Sequence, residues 1–264
     1  MADKQTRMKQ ILELLANNDS ESIKNIASYL SVSEMTARRD ISYLEKSKFV
    51  NVFFGGVSLN ENKRDSIKNF RYSPYFFDDA NSIFLNEKKH IAAYAASLIE
   101  AFDAIAIDNG TTCRYIIDEL HEPINCILYT YSMEVLSRAI NINSENLRLF
   151  CFGGLYHNDL KMFESFDVIE MIKKTHINKL FFGAVGVSTA YGLSCAQRYE
   201  IDIRRALMSV SDQIIVLADS SKIGKTWFLQ YGDISDIDLL ITDSRVTKKQ
   251  YDDIKSCGIN IKVV

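Results

Sequence analysis

Apolar residues recur three and four positions apart in the first part of the chain, which is the spacing of amphipathic helices. The pattern predicts a helix near residues 5–15, a second over residues 23–30, and a third that begins after the turn at Ser31-Val32. Ser22 and Ser33 stand directly before the second and third helices, where a hydroxyl accepts a backbone N–H and caps the helix. Three short helices in this order are typical of a helix-turn-helix unit.

The third helix has two different sides. Met35, Ile41 and Leu44 are predicted to face the core, whereas four polar residues lie toward the start of the helix: Ser33, Thr36, Arg38 and Arg39. A recognition helix presents such side chains to base edges and phosphates in the major groove of DNA. An isolated pair of arginines is more often a solvated surface. The two preceding helices and the tight turn favour the DNA-binding interpretation.

A β-hairpin is predicted after the third helix. Residues 49–54 and 57–59 are apolar runs, and the pair Gly55-Gly56 separates them. A hairpin after three helices makes a winged helix-turn-helix domain over residues 1–59, and Gly55 and Gly56, at the turn of the wing, are counted among its DNA-binding residues. Residues 1–71 carry 12 Lys and Arg against 9 Asp and Glu, whereas the rest of the chain carries 19 against 25. The basic excess therefore lies in the part that is predicted to meet a polyanion.

Residues 60–71 are polar, charged and without periodicity, and they are predicted to link the first domain to a second over residues 72–264. Apolar runs alternate with helical patterns in this second domain, which predicts an α/β fold with a mostly parallel sheet covered on both faces. The predicted strands are residues 104–107, 126–129, 147–152, 179–184, 214–218, 239–242 and 259–263. The predicted helices begin at residue 86 and then cover residues 112–121, 133–140, 163–175, 199–211 and 248–257.

The loops that follow the strands form the candidate ligand site, because ligands of such sheets bind outside the carboxyl ends of the strands. Glycine lets backbone N–H groups approach an anion, while hydroxyl groups and helix N-termini supply further donors. No lysine follows the two threonines of the first loop, and Lys222 is the candidate cation from another loop. The candidate effector-binding residues are Asp108, Asn109, Gly110, Thr111, Thr112, Thr130, Tyr131, Ser132, Gly153, Gly154 and Lys222.

Composition adds few constraints. The hydrophobic fraction of 47% and the charged fraction of 25% are those of a soluble globular protein. No apolar run approaches the roughly 20 residues that a membrane span needs, and the polar N-terminus lacks a signal-peptide core, so we expect a cytoplasmic protein. The five cysteines and four histidines show no metal or redox spacing. The sequence therefore predicts neither a metal nor a cofactor.

The stretch "VSEMTARRDISYLEKSKFV" followed by "FFGG" resembles the DeoR/GlpR family of bacterial transcriptional repressors. The resemblance continues through "FGAVGVSTAYGL", "YEIDIRRALM", "VLADSSKIG" and "DLLITD". It implies a homo-oligomeric repressor of a carbohydrate operon that binds a double-stranded DNA operator and responds to a phosphorylated sugar. It also implies a sensor domain similar in fold to ribose-5-phosphate isomerase and the CoA-transferase group, with no catalytic residues of its own.

The chain departs from the family pattern at three places, and one of them is a glycine usual before the fifth helix that is replaced around residues 164–166. The other two concern the wing and a glycine-containing loop. The family usually has a basic residue before the wing diglycine, where this chain has Val52-Phe53-Phe54, and acidic residues in and after a Gly-x-x-Gly loop, where this chain has Val185 and Ser188. Two alternatives to a sensing repressor remain open. One is a sugar-phosphate isomerase with a DNA-binding head, whose candidate bases are Asp108, Asp219 and Glu200. The other is a module that has lost its ligand, in which only the head functions.

Overall fold

The computed structural model describes residues 4–46, 49–60, 84–120, 125–142, 144–227 and 229–264. The chain forms two compact units, Met1–Asp79 and Ala80–Val264. The predicted linker lies outside the described residues, apart from Asn60 at its start, and so does the end of the helix predicted at residues 112–121.

The described residues of the first unit form three helices and a two-stranded antiparallel hairpin, as the sequence predicts. They are α1 (Lys4–Asn17), α2 (Ile23–Tyr29), α3 (Glu34–Lys46), β1 (Val50–Phe53) and β2 (Gly56–Leu59). Ser22 and Ser33 accept hydrogen bonds from the backbone N–H groups of Asn25 and Thr36, at 3.1 and 3.2 Å, which confirms both predicted caps. The core of this unit is formed by apolar residues from all five elements, among them Met8, Ile11, Leu12, Leu15, Ile26, Ile41, Leu44, Val50 and Val57.

The prediction that Met35 faces the core is wrong, because its side chain is 81% exposed. An α-helix turns about 100° per residue, so Met35 lies about 240° around the helix from Ile41. The buried side of α3 is instead formed by Ala37, Asp40, Ile41 and Leu44, which follow the i, i+3, i+4, i+7 spacing. Asp40 is accommodated there because its carboxylate accepts a hydrogen bond from the Nε atom of Arg7 at 2.7 Å.

The second unit is built on a seven-stranded parallel sheet. Its helices are α4 (Leu85–Ala96), α5 (Met133–Ile140), α6 (Phe166–Ile172), α7 (Ile201–Ser209) and α8 (Lys248–Ser256). The strands of the sheet are β3 (Ala104–Ile107), β4 (Cys126–Thr130), β5 (Leu147–Cys151), β8 (Ile177–Gly183), β11 (Ser211–Leu217), β13 (Leu239–Thr242) and β14 (Asn260–Val263). Their order across the sheet is β14-β13-β11-β8-β3-β4-β5, with every neighbouring pair parallel. All seven predicted strands, and the predicted parallel α/β architecture, are confirmed.

Five short strands were not predicted. They are β6 (Leu155–His157), β7 (Met162–Glu164), β9 (Gly186–Ser188), β10 (Gly192–Cys195) and β12 (Leu229–Gly232), and they form two small antiparallel sheets. The helix predicted at residues 163–175 begins only at Phe166, because residues 162–164 pair with β6. The helix predicted at residues 112–121 is a short 3-10 helix, Cys113–Glu119.

The sheet determines where the polar loops meet. Its centre is strongly apolar, with buried residues of β3, β8 and β11 packed beneath α4 and the 3-10 helix that follows β3. Because the seven strands are parallel, their carboxyl ends lie at one edge of the sheet. The loops after β3, β4, β8, β11 and β13 therefore share that edge, as expected for a ligand site of this architecture.

Candidate functional site

The polar side of α3 is available to a partner. Ser33, Arg38 and Arg39 are exposed, and Thr36 is half-buried with its hydroxyl 2.9 Å from that of Ser33. Arg38 approaches Glu34 at only 4.0 Å, and both side chains are more than half exposed, so this ion pair restrains the guanidinium little. Ser33 directly precedes α3, and Thr36, Arg38 and Arg39 lie in its first two turns, beside the buried positions Ala37 and Ile41 without sharing their burial.

The wing has an apolar tip. Gly55 adopts a φ of +97°, a left-handed conformation that glycine tolerates best. A Cβ on Gly56 would lie 3.0 Å from the Cζ atom of Phe53 and 3.2 Å from the carbonyl oxygen of Glu21, so this glycine makes room for a neighbouring ring and strand. Phe54 is completely exposed, and residues 49–60 include no charged side chain. Any contact that residues 49–60 make with a partner is therefore made without a charged side chain.

Asp108, at the end of β3, organises the loop that follows it. It is fully buried, and its carboxylate accepts hydrogen bonds from the Gly183 backbone N–H at 3.0 Å, from the Nη2 atom of Arg204 at 3.0 Å and from the hydroxyl of Tyr131. Arg204 also pairs with Glu200 at 2.9 Å. Burial and the neighbouring Asp108 raise the pKa of the Tyr131 phenol, which therefore remains a donor. The carboxylate of Asp108 thus joins the loops after β3, β4 and β8.

The second predicted loop is held by its own side chains. The Thr130 hydroxyl donates to the carbonyl of Ile107 at 2.8 Å and accepts the backbone N–H of Ser132 at 3.1 Å. The Ser132 hydroxyl accepts the backbone N–H of Val135 at 3.3 Å and caps α5. Thr130, Tyr131 and Ser132 are all buried, so the structure brings this loop beside the first one and uses its polar atoms to fix both.

The candidate glycines have different surroundings. A Cβ on Gly110 would lie 2.9 Å from the Cα atom of Gly183 and 3.0 Å from the Sγ atom of Cys113, so two strand-end loops approach closely through Gly110. Gly154 has a φ of +145°, and a Cβ there would lie 2.2 Å from the carbonyl oxygen of Glu164. Gly153, by contrast, has open space around it. Gly110 and Gly154 thus have a packing role that the sequence did not reveal.

Three cations lie near one another at this edge. Lys222, in the 3-10 turn Ser220–Lys222 after β11, was predicted, whereas Lys88 of α4 and Arg114 were not. Burial lowers the pKa of Lys88 to about 8, with Asp219 acting against this shift and Lys222 and Arg114 adding to it. Burial also lowers the pKa of Lys222, and Asp219 again opposes the shift.

Two further observations concern these cations. The Nε atom of Arg114 is buried and has no hydrogen-bond partner among the described residues, although its Nη1 atom pairs with Glu134 at 3.0 Å. Lys88 is only 1% exposed and shares the buried side of α4 with Ile91, Ala92 and Ala95. A lysine at the i, i+3, i+4, i+7 spacing of an otherwise apolar helix face is a signal that could have identified it from sequence. Arg114 directly follows the loop at residues 109–112, and its backbone N–H donates to the carbonyl of Gly110 at 3.4 Å.

The three candidate bases are all engaged within the protein. Asp108 is bonded as described, and Glu200 accepts the backbone N–H groups of Ala196 and Gln197 at 3.1 and 2.8 Å in addition to pairing with Arg204. Burial raises the pKa of Glu200, and Arg204 opposes the shift. Asp219 accepts the backbone N–H of Ser221 at 3.1 Å. Within the described part of the chain, no cluster of His, Cys, Asp or Glu side chains could hold a metal ion.

The fold and these two surfaces define a winged helix-turn-helix protein with a separate α/β ligand-sensing unit. Residues 7–63 match the model of the DeoR-like helix-turn-helix domain, and residues 83–244 match that of the DeoR C terminal sensor domain. The chain therefore belongs to the DeoR family, and it is a DNA-binding transcriptional regulator. None of the helices among the described residues is long and apolar enough to span a bilayer.

Relatives of known function match nearly the whole chain. The HTH-type transcriptional regulator IolR of Bacillus subtilis is 28% identical over 257 residues, which cover 97% of this chain and 98% of the relative. The deoxyribose operon repressor of Escherichia coli K12 is 28% identical over 240 residues, 91% of this chain and 90% of the relative. Ribose 5-phosphate isomerase A of Methanocaldococcus jannaschii overlaps 51% of this chain and 52% of its own, with 18% identity and a TM-score of 0.37. A likeness at that score carries no argument about activity.

Proposed function

We propose that this protein is a repressor of a carbohydrate operon whose affinity for its operator is modulated by a phosphorylated sugar. The observation that carries the proposal is the group of three cations, Lys88, Arg114 and Lys222, at the edge of the sheet where neutral donors of residues 109–112 also lie. A phosphomonoester is a compact dianion, and such a combination of cations, hydroxyls and backbone N–H groups suits it. The sensor-domain match and the names of the relatives support the same function.

In the effector site that we propose, some residues contact the phosphate and others position the loop. Asn109, Gly110, Thr111 and Thr112 supply backbone and side-chain donors to the phosphate, and the cations supply its charge partners. Asp108, Thr130, Tyr131 and Ser132 position that loop, because their polar atoms are already bonded within the protein. The exposed Gly153 and Gly154 border the same edge after β5 and are assigned to the sugar end. The helix dipole contributes less to phosphate binding than the sequence suggested, because the loop is followed by a short 3-10 helix and not by an α-helix.

The operator-binding surface that we propose combines α3 with the wing. Arg38 and Arg39 contact bases or phosphates in the major groove, and Ser33 and Thr36 provide shorter polar contacts. Gly55 and Gly56 shape the tip of the wing, where the exposed Phe54 occupies the place of a basic side chain. Helix-turn-helix proteins gain affinity by occupying two half-sites, so the active species is a homo-oligomer.

The proposal assigns binding without turnover to the sensor unit. Isomerisation of a sugar phosphate requires a carboxylate that faces the substrate and abstracts a proton. Asp108, Asp219 and Glu200 are instead bonded to backbone N–H groups, and Asp108 and Glu200 are also paired with Arg204. Their existing partners support a positioning role for all three.

The test begins with a duplex selected from a random DNA pool by the full-length protein. Fluorescence anisotropy then measures the affinity for this duplex in the presence of ribose 5-phosphate, 2-deoxyribose 5-phosphate, glucose 6-phosphate and fructose 6-phosphate. The free sugars and inorganic phosphate are the controls. We expect at least one phosphorylated sugar to change the affinity five-fold or more. A protein that selects no duplex, or that converts these sugars with turnover visible by NMR, would contradict the proposal.

A further inference from the structure

A chain of contacts runs from the turn that bears Lys222 to the end of β13. The backbone N–H and the hydroxyl of Ser220, in that turn, donate to the carboxylate of Asp243 at 2.7 and 3.0 Å. The same carboxylate accepts the backbone N–H of Arg245 at 2.9 Å, and the Nε atom of Arg245 lies 3.7 Å from it. Asp243 is only 2% exposed, so its geometry is determined by these partners.

Arg245 extends this chain of contacts to the start of α4. Its Nη2 atom pairs with the carboxylate of Glu87, and its guanidinium lies over the ring of Phe84, 4.0 Å from the centroid. Phe84 precedes the helix in a left-handed conformation, with φ of 57°, and its side chain makes no capping hydrogen bond. A non-glycine residue in this conformation is held by its surroundings. Arg245 therefore contacts the start of α4 at two residues, Phe84 and Glu87.

Helix α4 lies early in the sensor unit and also bears Lys88. Phe84 is the first described residue of the sensor unit, and α4 is the first of the described helices of that unit along the chain. Lys88, one turn further along the same helix, is buried within electrostatic reach of Asp219 and Lys222. The helix that contributes a cation to the proposed effector site is thus also the described element of the sensor unit that is nearest in sequence to the DNA-binding unit.

We propose that Asp243 and Arg245 couple the effector site to operator binding. An anion held at the Ser220–Lys222 turn and at Lys88 shifts the turn and α4 relative to each other, and the Asp243–Arg245–Glu87 contacts transmit that shift to the first turn of α4. This inference rests on the proposed function, since it takes the effector to bind at Lys222. Coupling of this kind requires that the contacts differ between the two states, and a removable ion pair at the helix start provides such a difference.

The experiment compares the full-length wild type with Arg245→Gln, Glu87→Gln and the double variant. Arg205→Gln is the matched control, because Arg205 belongs to the same unit and its guanidinium donates to the backbone carbonyls of Tyr231 and Gln230, away from Asp243 and Glu87. The operator is the selected duplex, and the effector is the member of the sugar-phosphate panel that changes wild-type binding most. Anisotropy gives operator affinity with and without effector, calorimetry gives effector affinity, and thermal melting verifies folding.

We expect Arg245→Gln to reduce the effector-induced change in operator affinity at least five-fold, while the effector affinity of the free protein stays within about three-fold of wild type. Glu87→Gln should act in the same direction, and the double variant should lose no more coupling than Arg245→Gln alone, because both residues belong to one path. Arg205→Gln should behave as wild type. If Arg245→Gln misfolds, Glu87→Gln decides the question.

Three results would overturn the inference. The first is an undiminished response in a folded Arg245→Gln or Glu87→Gln variant. The second is a loss of effector affinity greater than ten-fold, since that would make Arg245 part of the binding site itself. The third is additive losses in the double variant. A wild type that responds to no phosphorylated sugar is a different failure, because it defeats the proposed function before the variants are compared.

Discussion

The Nη2 atom of Arg204 lies 3.0 Å from the Oδ2 atom of Asp108, and both side chains are almost completely buried. The same guanidinium pairs with Glu200 at 2.9 Å and lies over the ring of Tyr231, 4.8 Å from the centroid. One buried cation therefore compensates two buried carboxylates from different parts of the sensor unit. A group of this kind fixes geometry, because each charge requires the others.

Arg204→Met should lower the free energy of unfolding of the sensor unit by about 3–5 kcal/mol, since it leaves two buried carboxylates without their cation. Urea denaturation followed by circular dichroism measures this. Arg198→Met is the control, because Arg198 pairs with Asp202 at 3.5 Å on the surface and should change stability by less than about 1 kcal/mol. Equal effects of the two substitutions would show that the buried group is not a stabilising constraint.

Gly110→Ala should lower the free energy of unfolding by about 1–3 kcal/mol, because the added Cβ meets the backbone of Gly183 at 2.9 Å and neither loop can move freely. Gly153→Ala, where the corresponding space is open, should change stability by no more than about 0.5 kcal/mol. Both can be measured by thermal melting of the full-length protein. Wild-type stability in Gly110→Ala would mean that the two loops are not packed as closely as described.

Lys222→Ala should weaken binding of the sugar phosphate roughly 10- to 150-fold, because it removes one charge-assisted hydrogen bond. Operator affinity without effector should remain at the wild-type value. Calorimetry measures the first quantity and anisotropy the second. Lys225→Ala is the matched control, since Lys225 is exposed three residues away and should leave effector affinity within about two-fold. A Lys222→Ala protein with unchanged effector affinity would remove this lysine from the proposed site.

Affinity for the sugar phosphate should fall as the pH rises through about 8. Burial lowers the pKa of Lys88 to about 8 in the free protein, so this ammonium is half deprotonated at that pH, and a bound dianion favours the protonated form. Binding near pH 8 should therefore take up a proton, which calorimetry in buffers of different ionisation enthalpy detects. Lys88→Met should bind more weakly and show less proton uptake. Affinity that is constant between pH 7 and 9 would argue against contact with Lys88.

Arg38→Ala and Arg39→Ala should each weaken binding to the selected duplex. A guanine contact would cost about 1–3 kcal/mol and would affect the selected duplex more than a random one. A phosphate contact would weaken both equally and reduce the slope of affinity against salt by about one. Lys24→Ala, an exposed substitution on α2, is the control. If both arginine variants match wild type at every salt concentration, α3 is not the recognition helix.

Local pattern was enough to predict both architectures. The seven strands of the parallel sheet, the three helices of the first unit and the caps at Ser22 and Ser33 follow from short-range periodicity and hydroxyl placement. Such features depend on neighbours within one or two turns, which the sequence displays directly. The carboxyl edge of the sheet as the location of the loops follows from the parallel arrangement itself.

Contacts between distant residues decided the rest. Lys88 precedes Lys222 by more than a hundred residues, and only the packing of α4 on the sheet places both cations at one edge. The carboxylate of Asp108 accepts hydrogen bonds from Arg204, Tyr131 and Gly183, which lie far from it in the sequence, so its positioning role was not visible in the sequence. The strands β9, β10 and β12 have three or four residues each and pair with one another in a small sheet. Strands this short show no clear alternation of apolar and polar residues in the sequence. The sequence by itself determined the helices of the first unit and the strands of the parallel sheet. The tertiary structure decided which polar loops and charged side chains lie close together, because charge and hydrogen bonding act through space.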